Sequence, residues 1–141
     1  LTVDNDINQP DINRPDINRP NVVSEVEQAF RAYERALADD DHQTLERAFW
    51  DSQHVVRFGL RDWQHGAAQV AKARRDGLIR VHPERRLTDV VITTFGGDTA
   101  VVSCRFENGD SPGHGRQQQT WRRLPEGWRV VAAHVSFLDE P

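Results

Sequence analysis

At 141 residues the chain has room for one domain, and not for two with separate cores. An apolar share of 37%, with four Trp and six Phe, excludes a disordered chain, and no stretch approaches the roughly 18 apolar residues of a membrane span. The net charge of −4 argues against a nucleic-acid partner, because phosphate binding needs a concentrated basic face.

The chain opens on a repeat. Asp-Ile-Asn-x-Pro occurs at Asp6–Pro10, Asp11–Pro15 and Asp16–Pro20. Each proline biases the residue before it toward extended geometry, so residues 1–20 read as an extended arm and residues 21–141 as the folded domain. The arm is either a frayed tail or a strap laid along a neighbouring subunit, with Ile7, Ile12 and Ile17 as anchors. The opening LTVDNDINQP has neither the basic start nor the apolar run of a signal peptide. Cys104, the single cysteine, cannot form an internal disulfide, and a cytoplasmic location is expected.

A helix follows, capped by Asn18 or Asn21 beside Pro20. Val22, Val26, Phe30, Tyr33 and Leu37 recur at helical spacing and form one apolar face. Asp39-Asp40-Asp41 ends it, and a second helix over 43–50 packs back on the first. Residues 54–59 read as a short strand, with Val55, Arg57 and Gly59 on one face and His54, Val56 and Phe58 on the other. Residues 61–64 suggest another strand, and a third helix spans 67–75.

Beyond it the pattern is all strand. Residues 86–94, 99–107, 116–123 and 128–138 are rich in β-branched and aromatic residues, separated by turn signals at Gly96-Gly97-Asp98, Asn108–Gly113 and Pro125-Glu126-Gly127. Helices first and long hairpin-linked strands after them predict an α+β domain, a curved antiparallel sheet covered by three N-terminal helices around one pocket.

Several residues invite chemistry. Tyr33 lies on the apolar face of its helix, so its phenol points inward and needs a hydrogen-bond partner. Arg57 stands in an apolar strand, where a guanidinium is costly unless paired, and its planar fork suits a carboxylate. Strict alternation puts His134 and Ser136 on one face with Trp128, Val130 and Ala132, so His134 is a candidate proton donor or acceptor. Consecutive glutamines at 117–119 put at least one amide inward whichever register holds. Arg74 is a second candidate cation, although the Arg-Arg pairs at 74–75, 85–86 and 122–123 read most simply as solvated charges. Six scattered histidines and one cysteine give no metal spacing, and no phosphate loop or nucleophile elbow is present, so no cofactor is expected. Cys104, in an apolar strand, reads as packing. Asp62 and Asp89, the nearest candidates for a carboxylate base, suit a loop or the sheet surface better.

Ile17-Asn18-Arg19-Pro20-Asn21-Val22-Val23, Phe49-Trp50-Asp51-Ser52 running to Gly59, Val91–Gly96, and Gly115–Trp121 running through Gly127-Trp128-Arg129 to His134-Val135-Ser136 resemble the AtzH-like family of the nuclear transport factor 2-like superfamily. The resemblance implies the cone-shaped fold of ketosteroid isomerase and SnoaL. It also implies a metal-free hydrolytic or decarboxylating enzyme for small carboxylated ureas such as 1,3-dicarboxyurea, accessory to an amidase in nitrogen catabolism. A tyrosine on the first helix and an arginine on the first strand are the family's active residues, which map to Tyr33 and Arg57. The resemblance favours Gln118 among the glutamines and, with Arg57, Arg74 and Ser136, as a substrate contact. Relatives pair through the open sheet, so a homodimer is expected; a non-catalytic carboxylate-binding or assembly module is the alternative. The sequence departs from the family pattern at Phe58, at Trp63-Gln64-His65, at Ala73 and at Gly77, all around the expected pocket.

Overall fold

The structure, a computed structural model, describes residues 8–110 and 114–138. Ile7 of the first repeat and the Ser111-Pro112-Gly113 part of a predicted turn lie outside the described residues.

Three helices precede the main sheet: α1 (Pro20–Ala38), α2 (His42–Ala48) and α3 (Ala67–Arg75), with short strands β1 (Val56–Phe58) and β2 (Trp63–His65) between α2 and α3. Four long strands follow, β3 (Arg85–Phe95), β4 (Thr99–Asn108), β5 (His114–Leu124) and β6 (Gly127–Leu138). They form one six-stranded sheet in the order β2-β1-β6-β5-β4-β3. Every pair is antiparallel except β1 with β6. The domain is the α+β fold that the pattern predicts. No helix among the described residues is long and apolar enough to cross a membrane.

The predicted stripe of α1 is the buried one: Val22, Val26, Phe30, Tyr33 and Leu37, joined by Ala36. It packs on the inner sheet face, where Val90, Ile92, Ala100, Val102, Trp121 and Val130 close the core. Each fully buried Val or Phe contributes roughly 1.5–3 kcal/mol. Asp41 caps α2 by accepting from the Thr44 backbone N–H at 3.2 Å. α2 stops at Ala48, short of the predicted Trp50, because the backbone of Trp50 turns to β6 and donates to Val130 O at 2.9 Å.

Two β-bulges bend the sheet. In β3 the register shifts between Thr88 and Val91, where Asp89 takes a left-handed φ of 53°. In β6 the pairs Thr120↔Ala132 and Trp121↔Val130 leave Val131 as an extra residue. An extra residue reverses which side chains face inward beyond it. Val130 and Ala133 are therefore both buried, while His134 is exposed.

The arm lies on its own chain. Asn18 does not cap α1, whose N-cap is Arg19 without a side-chain bond. Instead its Oδ1 accepts from Thr94 N at 2.8 Å, and Asn8 Oδ1 accepts from Ile92 N at 2.8 Å. Asp16 O takes Gly96 N at 2.8 Å. β3 ends the sheet, so these bonds cover backbone groups that an edge strand otherwise leaves unpaired. The intervening repeat turns outward, with Ile12 94% exposed, while Ile17 is half-buried in a bridge to Phe95, so among the described residues Asn8, Asn18 and Ile17 hold the arm.

Candidate functional site

Beneath α1 the inner sheet face leaves a hollow of about 120 Å³, walled by Tyr33, Arg57, Asp62, Phe106, Gln117 and Gln119 among others. Leu37, Arg80, Val81, His82 and Arg85 also line a larger adjacent groove of about 630 Å³ between α1 and residues 80–87. The inner hollow is of a size that admits a small guest.

Arg57 is 8% exposed and reaches this hollow from β1, opposite the small Ala133 of β6. Its Nη1 donates to Asp62 Oδ2 at 3.2 Å and Gln64 Oε1 at 3.0 Å, and Gln64 Nε2 donates to the same Asp62 oxygen at 2.6 Å. Gly59 makes this cluster possible: a Cβ there would stand 2.3 Å from Asp62 Oδ1 and 2.7 Å from Arg57 Nη1. Arg57 Nε and Nη2 bond to none of the described residues. Burial lowers the pKa of Arg57; Tyr33 and Asp62 act against that, and the charge of Arg74 adds to it. A guanidinium so placed is still a cation at neutral pH, and the donors of its Nε–Nη2 edge are left for a further acceptor.

Tyr33, 5% exposed, is packed edge-on against Trp121 at 6.1 Å and tilted against Phe49 at 6.2 Å. Gln119, 2% exposed, accepts from Trp121 Nε1 at 3.1 Å through Oε1, which leaves its amide N–H groups for the hollow. Asn108 Oδ1, on the same wall, is a buried acceptor without a partner among the described residues. Near the mouth, Arg85 Nη1 pairs with Glu34 Oε2, Arg85 Nη2 donates to Gln117 Oε1 at 3.1 Å, and Gln117 Nε2 returns to Glu34 Oε1 at 3.2 Å. Phe106 lies under Arg85 at 4.8 Å. Its ring occupies the space above Gly115, where a Cβ would stand 2.1 Å from it.

Tyr33 and Arg57 thus meet in one hollow, and the four other expected site residues, His134, Ser136, Gln118 and Arg74, do not reach it. His134 and Ser136 face outward because of the Val131 bulge; His134 packs edge-on to Phe58 at 5.5 Å, and Ser136 accepts from Arg116 Nε at 3.2 Å. Gln118 also points outward and donates to Ser103 Oγ at 3.0 Å, while Gln117 and Gln119 point in. Arg74 is fully buried but stands behind Tyr33, off the wall. Arg74 and Arg85 are therefore not solvated charges, whereas Arg75, Arg86, Arg122 and Arg123 are exposed. Asp89 sits at the sheet surface 3.6 Å from Arg105, but Asp62 turns from its loop into the site. Among the described residues no group of three His, Cys, Asp or Glu side chains is arranged to hold a metal.

The model of the AtzH-like family matches residues 15–141. A cystatin-like fold protein from Burkholderia xenovorans LB400 is 42% identical at a TM-score of 0.84, covering 89% of this chain and 98% of its own. A protein of unknown function from Pectobacterium atrosepticum is 40% identical at a TM-score of 0.83, covering 88% and 96%. An NTF2-like protein of unknown function from Pseudomonas putida KT2440, 20% identical at a TM-score of 0.70 over 84% and 87%, shows the shared fold. No curated protein matches the sequence.

Proposed function

This chain belongs to the AtzH-like family, and from that premise we propose that it is a small enzyme acting on a carboxylated urea or amide of the 1,3-dicarboxyurea kind. The observation that carries the reading is the convergence of the open edge of Arg57 and the hydroxyl of Tyr33 on one small hollow. Arg57 holds one carboxylate of the guest, Tyr33 donates to its carbonyl oxygen or leaving nitrogen, and Gln119 donates from β5. Asn108 Oδ1 accepts an N–H, which a urea supplies and a plain dicarboxylate does not. In a decarboxylation the N–C bond of the far carboxylate breaks, carbon dioxide leaves, and the nitrogen takes a proton that Tyr33 delivers and recovers from solvent. In a hydrolysis water adds to the carbonyl carbon and the same proton goes to the departing nitrogen. Neither route needs a metal or cofactor. The roles expected of His134, Ser136 and Gln118 are not part of this proposal.

Steady-state assays with 1,3-dicarboxyurea and related amides test it. Arg57→Lys raises KM, because one ammonium cannot replace a bidentate fork, and Tyr33→Phe lowers kcat by about a hundredfold or more. Unchanged turnover in both variants sinks the assignment. Binding by calorimetry without any product would favour a non-catalytic carboxylate-binding or assembly module instead.

That second reading draws support from the outer sheet face, where Trp63 is 64% and Phe58 45% exposed beside His134. Apolar surface of this kind suits a partner, and we propose a homodimer through this face, with a partner amidase as the other occupant. Sedimentation of Trp63→Glu decides: a dimer that persists unchanged argues against this face.

A further inference from the structure

Arg74, in the last turn of α3, is 2% exposed, and no carboxylate of the described residues pairs with it. Its Nη2 donates to Tyr33 Oη at 3.2 Å, while Nε and Nη1 are buried without partners. Its guanidinium carbon lies 5.4 Å from the Phe49 ring centre and 5.9 Å from that of Tyr33. A lone buried cation is expensive, and stacking on two rings offsets only part of the cost.

A guanidinium has donors and no acceptor. In this contact Tyr33 Oη must therefore accept, so its own proton is not spent on Arg74. No acceptor among the described residues takes that proton, and Tyr33 lines the hollow. We propose that Arg74 is a positioning residue that fixes Tyr33 as a hydrogen-bond donor toward the hollow and polarises its O–H. The Tyr33 end of the site then selects for an acceptor: a carbonyl or carboxylate oxygen is held there, and an N–H or O–H is turned away by a donor facing a donor. This also sets the guest's direction, with its acceptor toward α1. The inference rests on the reading above only in taking Tyr33 to meet a guest; the geometry of the phenol stands apart from any turnover.

The chain contains a single tyrosine, so its Raman spectrum reports Tyr33 alone. The relative intensity of the tyrosine Fermi doublet distinguishes a phenol that accepts a strong hydrogen bond from one that only donates. In the full ligand-free chain the ratio is expected in the accepting range, to fall toward the donor-only range in Arg74→Met, and to be kept largely in Arg74→Lys, which restores a cationic donor. Circular dichroism establishes that each variant is folded, and Arg74→Gln replaces Arg74→Met if that variant is not. A folded Arg74→Met or Arg74→Gln with the wild-type ratio overturns the proposal. Failure to turn over any urea or amide with the Raman change intact would instead remove the enzymatic reading and leave this one standing.

Discussion

Two buried arginines flank the site, and they are held by opposite means. Arg85, at the mouth, has a side chain 9% exposed against the 12% of Glu34, and Gln117 bonds to both members of that pair. Arg74, at the deep end, is as well hidden but has one phenol, two aromatic faces and no counter-ion among the described residues. A charge with a satisfied partner is part of what holds the fold, since losing the partner strands it. A charge without one costs stability and has to be explained by the group it acts on. The mouth is built to persist and the deep end to direct a proton.

Substitution at the mouth has the largest expected effect. Glu34→Ala leaves Arg85 in the interior without a counter-ion, takes the carboxylate acceptor from Gln117 Nε2, and lowers stability by about 3–5 kcal/mol in urea denaturation. Arg74→Met removes a buried charge and keeps most of the apolar stem, so it leaves stability within about 1 kcal/mol of wild type or raises it. Equal losses in the two variants would erase the contrast. A neutral bond between buried groups sharpens it. Thr94 is 0% exposed and its backbone N–H is satisfied by Asn18, whose own backbone is left-handed at a φ of 55°, so Asn18→Gly strands this neutral donor without adding strain. The expected loss is about 1–3 kcal/mol, below that of Glu34→Ala. A loss as large as that of Glu34→Ala would mean that the arm, not the charge, dominates.

How much of this was legible in the sequence follows from the periodicities involved. The helical spacing of Val22, Val26, Phe30, Tyr33 and Leu37 marks α1 and turns Tyr33 inward, and alternation turns Arg57 inward, because neither segment contains an irregularity. The same alternation misplaces His134 and Ser136, since one extra residue at Val131 reverses the faces and nothing in Arg129-Val130-Val131-Ala132 announces it. Three like residues leave the register across β5 open, so the resemblance favours Gln118 where the ladder buries Gln117 and Gln119. Arg74 and Arg85 each precede a second arginine that is exposed, and adjacent charges read as solvated when only one of them is. Glu34 follows Tyr33 on a helix and is separated from Arg85 by 51 positions, so the pair exists only in three dimensions. For the arm the available signal is the pentad itself: a period of five fits neither helix nor strand, and its first and third asparagines, Asn8 and Asn18, bond to a backbone edge.

Cys104 carries the comparison into a titration. Its thiol is 5% exposed on β4, with Gln117 Nε2 at 3.9 Å, so it abuts the mouth network. Burial first, and the negative charge of Glu34 second, push its pKa from 9.0 up to about 12, with Arg85 acting in the other direction. The folded state therefore keeps a proton that the unfolded chain gives up. Stability from this group is complete below pH 9 and is lost as pH rises toward 12, with a slope of at most about 1.4 kcal/mol per pH unit. Urea denaturation from pH 8 to 10.5 checks the sign: wild type declines more steeply than Cys104→Ala, by a margin that is near zero at pH 8 and about 1–2 kcal/mol at the top of the range. Parallel curves would mean that the thiol is not buried against the mouth, and the tightness attributed to the Glu34–Arg85–Gln117 cluster would lose its independent support.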